Sequence, residues 1–273
     1  MKHLDKPNMD ALEVLISSKE NIRSKELKQK IEESKDFFKR RYNHYDNYAT
    51  LGTFNILVNR NYNNIVKRVD QKANMILLYD KMTQEKTQVR KYYKTLREMT
   101  TKCPYCGFGT VSTLDHYLPK SKYPIYAVYP NNLVPSCYSC NTTKLASTDV
   151  TLHPYYDNVE NEQWLFCEVI CSDSIFFKYR VDQSVFNSSL YERIKTHFKV
   201  FDLQTSFTGF ASDELSGYLQ SIYTYLEQMN IDGLIADVKD RYDSNLAFKK
   251  NHWRTALYQA LHNDSSWIEF LGK

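Results

Sequence analysis

The sequence predicts an α+β fold that is mostly α, with helical regions at both ends, a small cysteine-braced module between them and a β-hairpin after the module. Three observations carry this. Charged and apolar residues interleave at helical spacing over residues 8–99, and again from Leu190 onward. Composition changes at Thr100, and residues 101–150 hold four of the six cysteines. Two alternating apolar–polar runs meet at Ser172-Asp173-Ser174, a turn composition. The expected division is therefore a helical region at 1–99, a compact module at 100–150, and a hairpin plus helical region at 151–273.

The elements follow in order. A long polar helix is expected through "ENIRSKELKQKIEESKDFFKRRY", capped by Ser18 or Asn21, its alternating charges suiting a solvated face. Within it, "FFKRRYNHY" places Arg40 and Arg41 among aromatics, as a contact surface or as an ordinary helix face. Next, Ile56, Val66, Ile76, Leu77 and Leu78 recur at roughly helical spacing through a stretch with few breakers. Past the module, "WLFCEVICSDSIFFKYRVD" (164–182) reads as the hairpin. The segments "SDELSGYLQSIYTYLEQM" and "DGLIADVKDRYDSNLAFKKNHWRTALYQALHN" read as amphipathic helices, with Ser212 and Asp232 as caps.

A chain of 273 residues suits one large domain or two modest ones and can bury a real core. Its net charge of +4 permits a nucleic-acid partner without demanding one. The opening "MKHLDKPNMD" has no apolar core for a secretory signal, and no apolar run approaches the roughly eighteen residues of a membrane span. A cytoplasmic protein without a membrane partner is expected, and its cysteines read as ligands or buried thiols before disulfides.

Cys103-Pro-Tyr-Cys106 and Cys137-Tyr-Ser-Cys140 are two Cys-x-x-Cys pairs. Each can turn two thiolates toward one point, and four sulfurs suit tetrahedral Zn²⁺ as a structural ion. A redox pair or two unrelated buried pairs is the alternative, but redox chemistry needs one such pair, not two. Cys106 and Cys137 lie thirty-one positions apart, longer than a simple zinc ribbon, so something is mounted between them. Cys167 and Cys171 share a strand face and read as apolar fillers.

The insert runs "TLDHYLPKS", then "PNNLVPSC", then "SCNTTK". In this order the segments resemble the HNH, or ββα-metal, nuclease family over about residues 100–150. The resemblance implies a β-hairpin and a helix around one catalytic divalent metal, with zinc bracing the ends. It also implies cleavage of phosphodiesters to leave a 5′ phosphate. The last position is Asn141 where the eponymous pattern has His, an H-N-N variant as in endonuclease VII-type resolvases. Asp115 and Asn141 would then hold the ion; their hard oxygens suit Mg²⁺ or Mn²⁺.

His116, with an ordinary pKa of about 6.5, can be the general base for water near neutral pH. Asn132 orients His116 or pins the intervening loop, with Asn131 as a competitor and the Asn-Leu pairing favouring Asn132. On an extended strand Asp115 and His116 point to opposite faces, so the family's twisted strand end is needed to bring both to one site. Each residue has a plainer reading: Asp-His as a surface turn, Asn132 as a turn residue, Asn141 as a helix N-cap. Pro119 and Pro124 stiffen the exit of the first strand.

Lys120, Lys122 and Lys144 read as phosphate contacts or as solvated lysines. Tyr105, Tyr117, Tyr123, Tyr126 and Tyr129 stack on bases or, better, pack a module short of aliphatic bulk. His153, in "HPYYD", reads first as a hydrogen-bonded structural histidine. The whole stretch from "TLDHYLPKS" to "HPYYD" is also similar to the HNH subunits of Septu-type anti-phage systems, found beside some retrons. That resemblance implies a partner ATPase docked on the helical arms, and a nucleic-acid substrate, DNA first, with RNA or transfer RNA as the other. The other reading is a non-catalytic, zinc-stabilised module that binds nucleic acid or a partner.

Overall fold

The computed structural model describes residues 1–58, 72–182 and 186–272. It divides into two compact units, Met1–Asn158 and Val159–Lys273. Among the described residues no helix is long and apolar enough to cross a membrane.

The first unit opens with α1 (Ala11–Glu20), α2 (Lys25–Glu33) and α3 (Lys35–Thr50). The single long helix expected here is broken, and neither Ser18 nor Asn21 starts one. Ser18 lies inside α1, its hydroxyl donating to the Val14 carbonyl at 2.7 Å, and Asn21 ends that helix. Asp10 caps α1 instead, accepting from the N–H groups of Leu12 and Glu13. Ser24 takes the Leu27 N–H and restarts the chain as α2. A serine that satisfies an orphan N–H favours a new helix start over continuation.

The face that α3 buries is Phe38, Tyr42, Tyr45 and Ala49, an i, i+4, i+7, i+11 stripe. Arg41 lies over the Phe37 ring at 5.3 Å, so this part of the aromatic-basic run packs on its own helix. There follow α4 (Phe54–Val58), α5 (Lys72–Thr83) and α6 (Arg90–Arg97). Val66 of the expected apolar pattern lies outside the described residues.

A small antiparallel hairpin comes next: β1 (Thr113–His116) pairs with β2 (Leu133–Ser136), His116 opposite Leu133. α7 (Tyr138–Lys144) follows directly. The crossover between the strands contains two 3-10 turns, Pro124–Tyr126 and Pro130–Asn132. Each begins with proline, whose missing N–H would have been unpaired there anyway.

The module's tyrosines are core, and all five candidates are buried. Tyr45 of α3 meets Tyr126 and Tyr129 edge-on at 5.0 and 5.2 Å, and Tyr42 stacks on Tyr129 at 4.2 Å. His153 is fully buried and hydrogen-bonded, its Nδ1 accepting from the Tyr155 N–H and its Nε2 lying 3.0 Å from the Tyr45 hydroxyl.

In the second unit, β3 (Leu165–Cys171) and β4 (Ile175–Val181) form the expected hairpin, turning at Ser172–Ser174. α8 (Ser188–Val200), α9 (Leu203–Glu227), α10 (Ile231–Phe248), α11 (Trp253–Asn263) and α12 (Ser266–Leu271) complete it. Ser212 lies within α9, and Asn230 rather than Asp232 caps α10 by accepting from the Gly233 N–H at 2.9 Å. Asn251 fixes the entry to β3: its carbonyl accepts from the N–H groups of Trp164 and Leu165, and its amide donates to the Glu162 and Val159 carbonyls. Cys167 and Cys171 are half-buried free thiols, outside the one converging cysteine cluster found among the described residues.

The Tyr45 hydroxyl joins Asn132 and His153 in the first unit's core, so removing it leaves buried polar atoms short of a partner. Tyr45→Phe is expected to lower the unfolding free energy by about 1–3 kcal/mol. Urea denaturation of wild type and variant measures the difference.

Candidate active site and metal centre

The four module cysteines come together. The sulfurs of Cys103, Cys106, Cys137 and Cys140 all lie within 4.8 Å of one another, and Cys106 and Cys137 are 4.0 Å apart. A tetrahedral zinc with bonds of about 2.3 Å needs sulfurs about 3.8 Å apart, so the thiols fit that ion. Local backbone builds each half. Gly107 adopts φ 82°, a left-handed conformation that closes the first knuckle. The Gly109 N–H then donates to Cys106 Sγ at 3.3 Å, and a Cβ at Gly109 would stand 2.8 Å from Cys137 Sγ. In the second half Cys137 is the N-cap of α7, and its sulfur accepts from the Cys140 N–H. Hydrogen bonds from Cys103 first, then Cys106 and Cys140, hold the Cys137 thiol well below its usual pKa, so a thiolate is favoured there.

β1 and α7 meet in register. Thr113 and Asp115 alternate onto one face of the strand, while Asn141 and Lys144 lie one turn apart on the helix. The Asn141 amide donates to Thr113 Oγ1 at 3.3 Å. Lys144 Nζ is 3.0 Å from Asp115 Oδ2 and 2.7 Å from the His116 carbonyl. The Tyr105 hydroxyl also donates to Asp115 Oδ2, at 2.8 Å. Both charges are almost fully buried, with side chains 1% and 3% exposed.

Lys144 is therefore not the surface phosphate contact expected of it. A helix placed against β1 by the cysteine cluster aims its last-turn ammonium inward, where it neutralises a buried carboxylate. Lys122 is exposed and Lys120 is half-buried.

His116 sits in a different environment from Asp115. Its Nε2 lies 2.9 Å from the Ala127 carbonyl. That oxygen can only accept, so Nε2 carries the proton and Nδ1 bears the lone pair in the neutral ring. Burial pushes the His116 pKa down to about 3, helped by the nearby cations Lys120 and Lys144 and opposed by the bond to Ala127, so the ring is neutral at neutral pH. The residue keeps 8% exposure, and among the described residues Nδ1 has no hydrogen-bond partner.

Asn132 controls where that carbonyl stands. Its side-chain oxygen accepts from the Leu118 N–H and the Tyr45 hydroxyl, and its amide donates to the Leu118 and Tyr126 carbonyls. All four of its hydrogen-bonding positions are used, so it pins the crossover immediately before Ala127. Asn131 faces elsewhere, donating to Asp46 Oδ1 and the Tyr129 hydroxyl.

Sequence reasoning missed Tyr79 of α5. Its ring meets His116 edge-on at 4.4 Å, and Lys120 Nζ lies 4.1 Å from its centroid. No local pattern marks it, because Tyr79 reads simply as one more apolar residue on a helix.

Asp115 and Asn141 offer a carboxylate and an amide oxygen, a donor set whose hardness fits Mg²⁺ or Mn²⁺ with retained waters. Here that carboxylate is engaged by Lys144 and Tyr105, while the amide nitrogen of Asn141 is engaged by Thr113.

Two outcomes check this geometry. Metal analysis of the purified chain is expected to give one zinc per molecule, lost in Cys137→Ser together with cooperative unfolding of the module. Lys144→Met strands a buried carboxylate and is expected to cost about 3–5 kcal/mol by chemical denaturation, with a smaller loss when Asp115→Asn is added.

The chain is 27% identical over 221 residues to Protein ea31 of Escherichia phage lambda, a match covering 72% of this chain and 74% of that protein. No solved structure matches it. Residues 103–147, which contain both cysteine pairs, both strands and α7, match the model of the HNH endonuclease family.

Proposed function

We propose that this chain is a metal-dependent endonuclease that hydrolyses phosphodiester bonds in nucleic acid, DNA first and RNA as the other substrate. The observation that carries the reading is the orientation of His116: its Nε2–H is fixed on the Ala127 carbonyl, which leaves Nδ1 as the lone-pair atom, without a hydrogen-bond partner among the described residues. A ring so held presents a basic nitrogen to water, while burial makes it a weaker base than an ordinary histidine. Asn132, itself bonded by Tyr45, holds the Tyr126 carbonyl, one residue before the carbonyl that the ring faces. The match of residues 103–147 to the HNH endonuclease model supports the same chemistry.

In this reading His116 Nδ1 takes a proton from water as the water oxygen attacks phosphorus. Asp115 and Asn141 are the residues that would hold a hard divalent ion, which when bound supplies neutralising charge to the phosphate and the departing oxygen. The cysteine cluster stays structural and keeps α7 against β1. A role in anti-phage defence under a partner ATPase rests on the likeness of "TLDHYLPKSKYP" and "HPYYD" to Septu-type subunits.

One observation favours the non-catalytic reading, a zinc-stiffened binding module: Asp115 is already neutralised by Lys144. A single assay separates the two. Purified chain, alone and with any genetically adjacent ATPase, is incubated with plasmid, single-stranded DNA and transfer RNA in Mg²⁺ or Mn²⁺. His116→Ala is expected to cut the cleavage rate about 10²–10⁴-fold. Undiminished cleavage by that variant removes His116 as the base, and no cleavage by any wild-type preparation leaves the binding module.

A further inference from the structure

The three lysines of the module are not equivalent. Lys144 is buried against Asp115, and Lys122 is exposed. Lys120 differs from both: half-buried, and without a hydrogen bond or salt bridge among the described residues. What it has instead is an aromatic face, with Nζ 4.1 Å from the centroid of the Tyr79 ring. The same ring touches His116 edge-on, 4.4 Å between centroids at 66°. Tyr79 is only 7% exposed, so its position is set by the packing of α5 and not by solvent.

A ring face attracts an ammonium without cancelling its charge, as a carboxylate would. The charge therefore remains available to an incoming anion, next to the imidazole. Partial burial has removed some of the ammonium's water and lowers its pKa, while the nearby Asp80 charge opposes that shift. Less hydration is left to lose when it meets a phosphate oxygen.

We propose that Lys120 is the cation that seats a phosphodiester at His116, and that Tyr79 is the positioning residue holding both. This rests on the nuclease reading and names the part of that site which grips the substrate. In the hydrolytic step the water oxygen bonds to phosphorus, its proton passes to His116 Nδ1, and the phosphorus–oxygen bond to the leaving group breaks. The departing oxygen is protonated by solvent. Lys120 keeps its own protons throughout and donates hydrogen bonds to a non-bridging oxygen. Tyr79 acts through its ring alone, because burial holds its hydroxyl protonated.

The test uses the full chain and two probes. Bis(4-nitrophenyl) phosphate is a diester without base or sugar, and dimethyl phosphate is a non-hydrolysed ligand followed through the His116 ring proton by NMR. Lys120→Met is expected to raise KM for the diester about tenfold or more, and to abolish the dimethyl phosphate shift. Lys120→Arg keeps both properties, since it keeps the charge. Tyr79→Phe behaves as wild type, and Tyr79→Leu behaves as Lys120→Met. Thermal unfolding checks that each variant is folded. Lys120 is half-exposed, so its variants decide the matter should Tyr79→Leu fail to fold.

A Lys120→Met protein with wild-type KM and a wild-type shift overturns the proposal. Wild-type hydrolysis indifferent to Lys120 would spare the nuclease reading and remove this one. A dimethyl phosphate shift that depends on Lys120, in a chain that hydrolyses no diester, would do the reverse. Absence of both hydrolysis and shift would remove both.

Discussion

The side chain of Asn132 is the fixed point of the first unit. It is fully buried, and its four hydrogen bonds tie Leu118 to Tyr126 and both to Tyr45 of α3. The crossover it closes is mostly irregular backbone, which would not hold one shape by local preference. Closing it at this point places the Ala127 carbonyl at His116 Nε2. The exit of β1 is fixed by the same bonds, and Lys120 stands on that exit, over the Tyr79 ring. The orientation of the histidine and the position of the lysine thus share one cause.

Charge within the module is arranged by burial. Asp115 would be very costly alone at its depth, and Lys144 and Tyr105 make it tolerable. The histidine on the next residue is spared that carboxylate and feels two cations, so it stays neutral. Adjacent residues on one strand are thereby given opposite electrostatic surroundings, because alternate side chains enter different packing environments. The cysteine cluster underlies this, since it sets α7 against β1 and so delivers Lys144 to Asp115.

Much of this was readable locally. The two Cys-x-x-Cys pairs, the turn at Ser172–Ser174 and the helical character of both ends all follow from spacing and periodicity within short windows. The helix starts were not. Ser18, Asn21, Ser212 and Asp232 carry suitable side chains, yet Asp10, Ser24 and Asn230 do the capping. Residues of equal capping ability compete, and packing of the apolar stripes decides between them. Tyr45 and Tyr79 were hidden for another reason. Each is an ordinary aromatic on a helix, and its importance lies in what a distant segment brings to it.

The amino-acid order by itself determined which atoms could do chemistry: four thiols in two knuckles, an imidazole after a carboxylate, and two asparagines downstream. Those follow from residue type and short spacing, which the chain carries wherever it goes. Only the tertiary structure decided that Lys144 turns inward to a carboxylate while Lys120 lies half-buried above a ring. Lysine has one charge and a flexible stem, and its partner is chosen by what the fold leaves within reach.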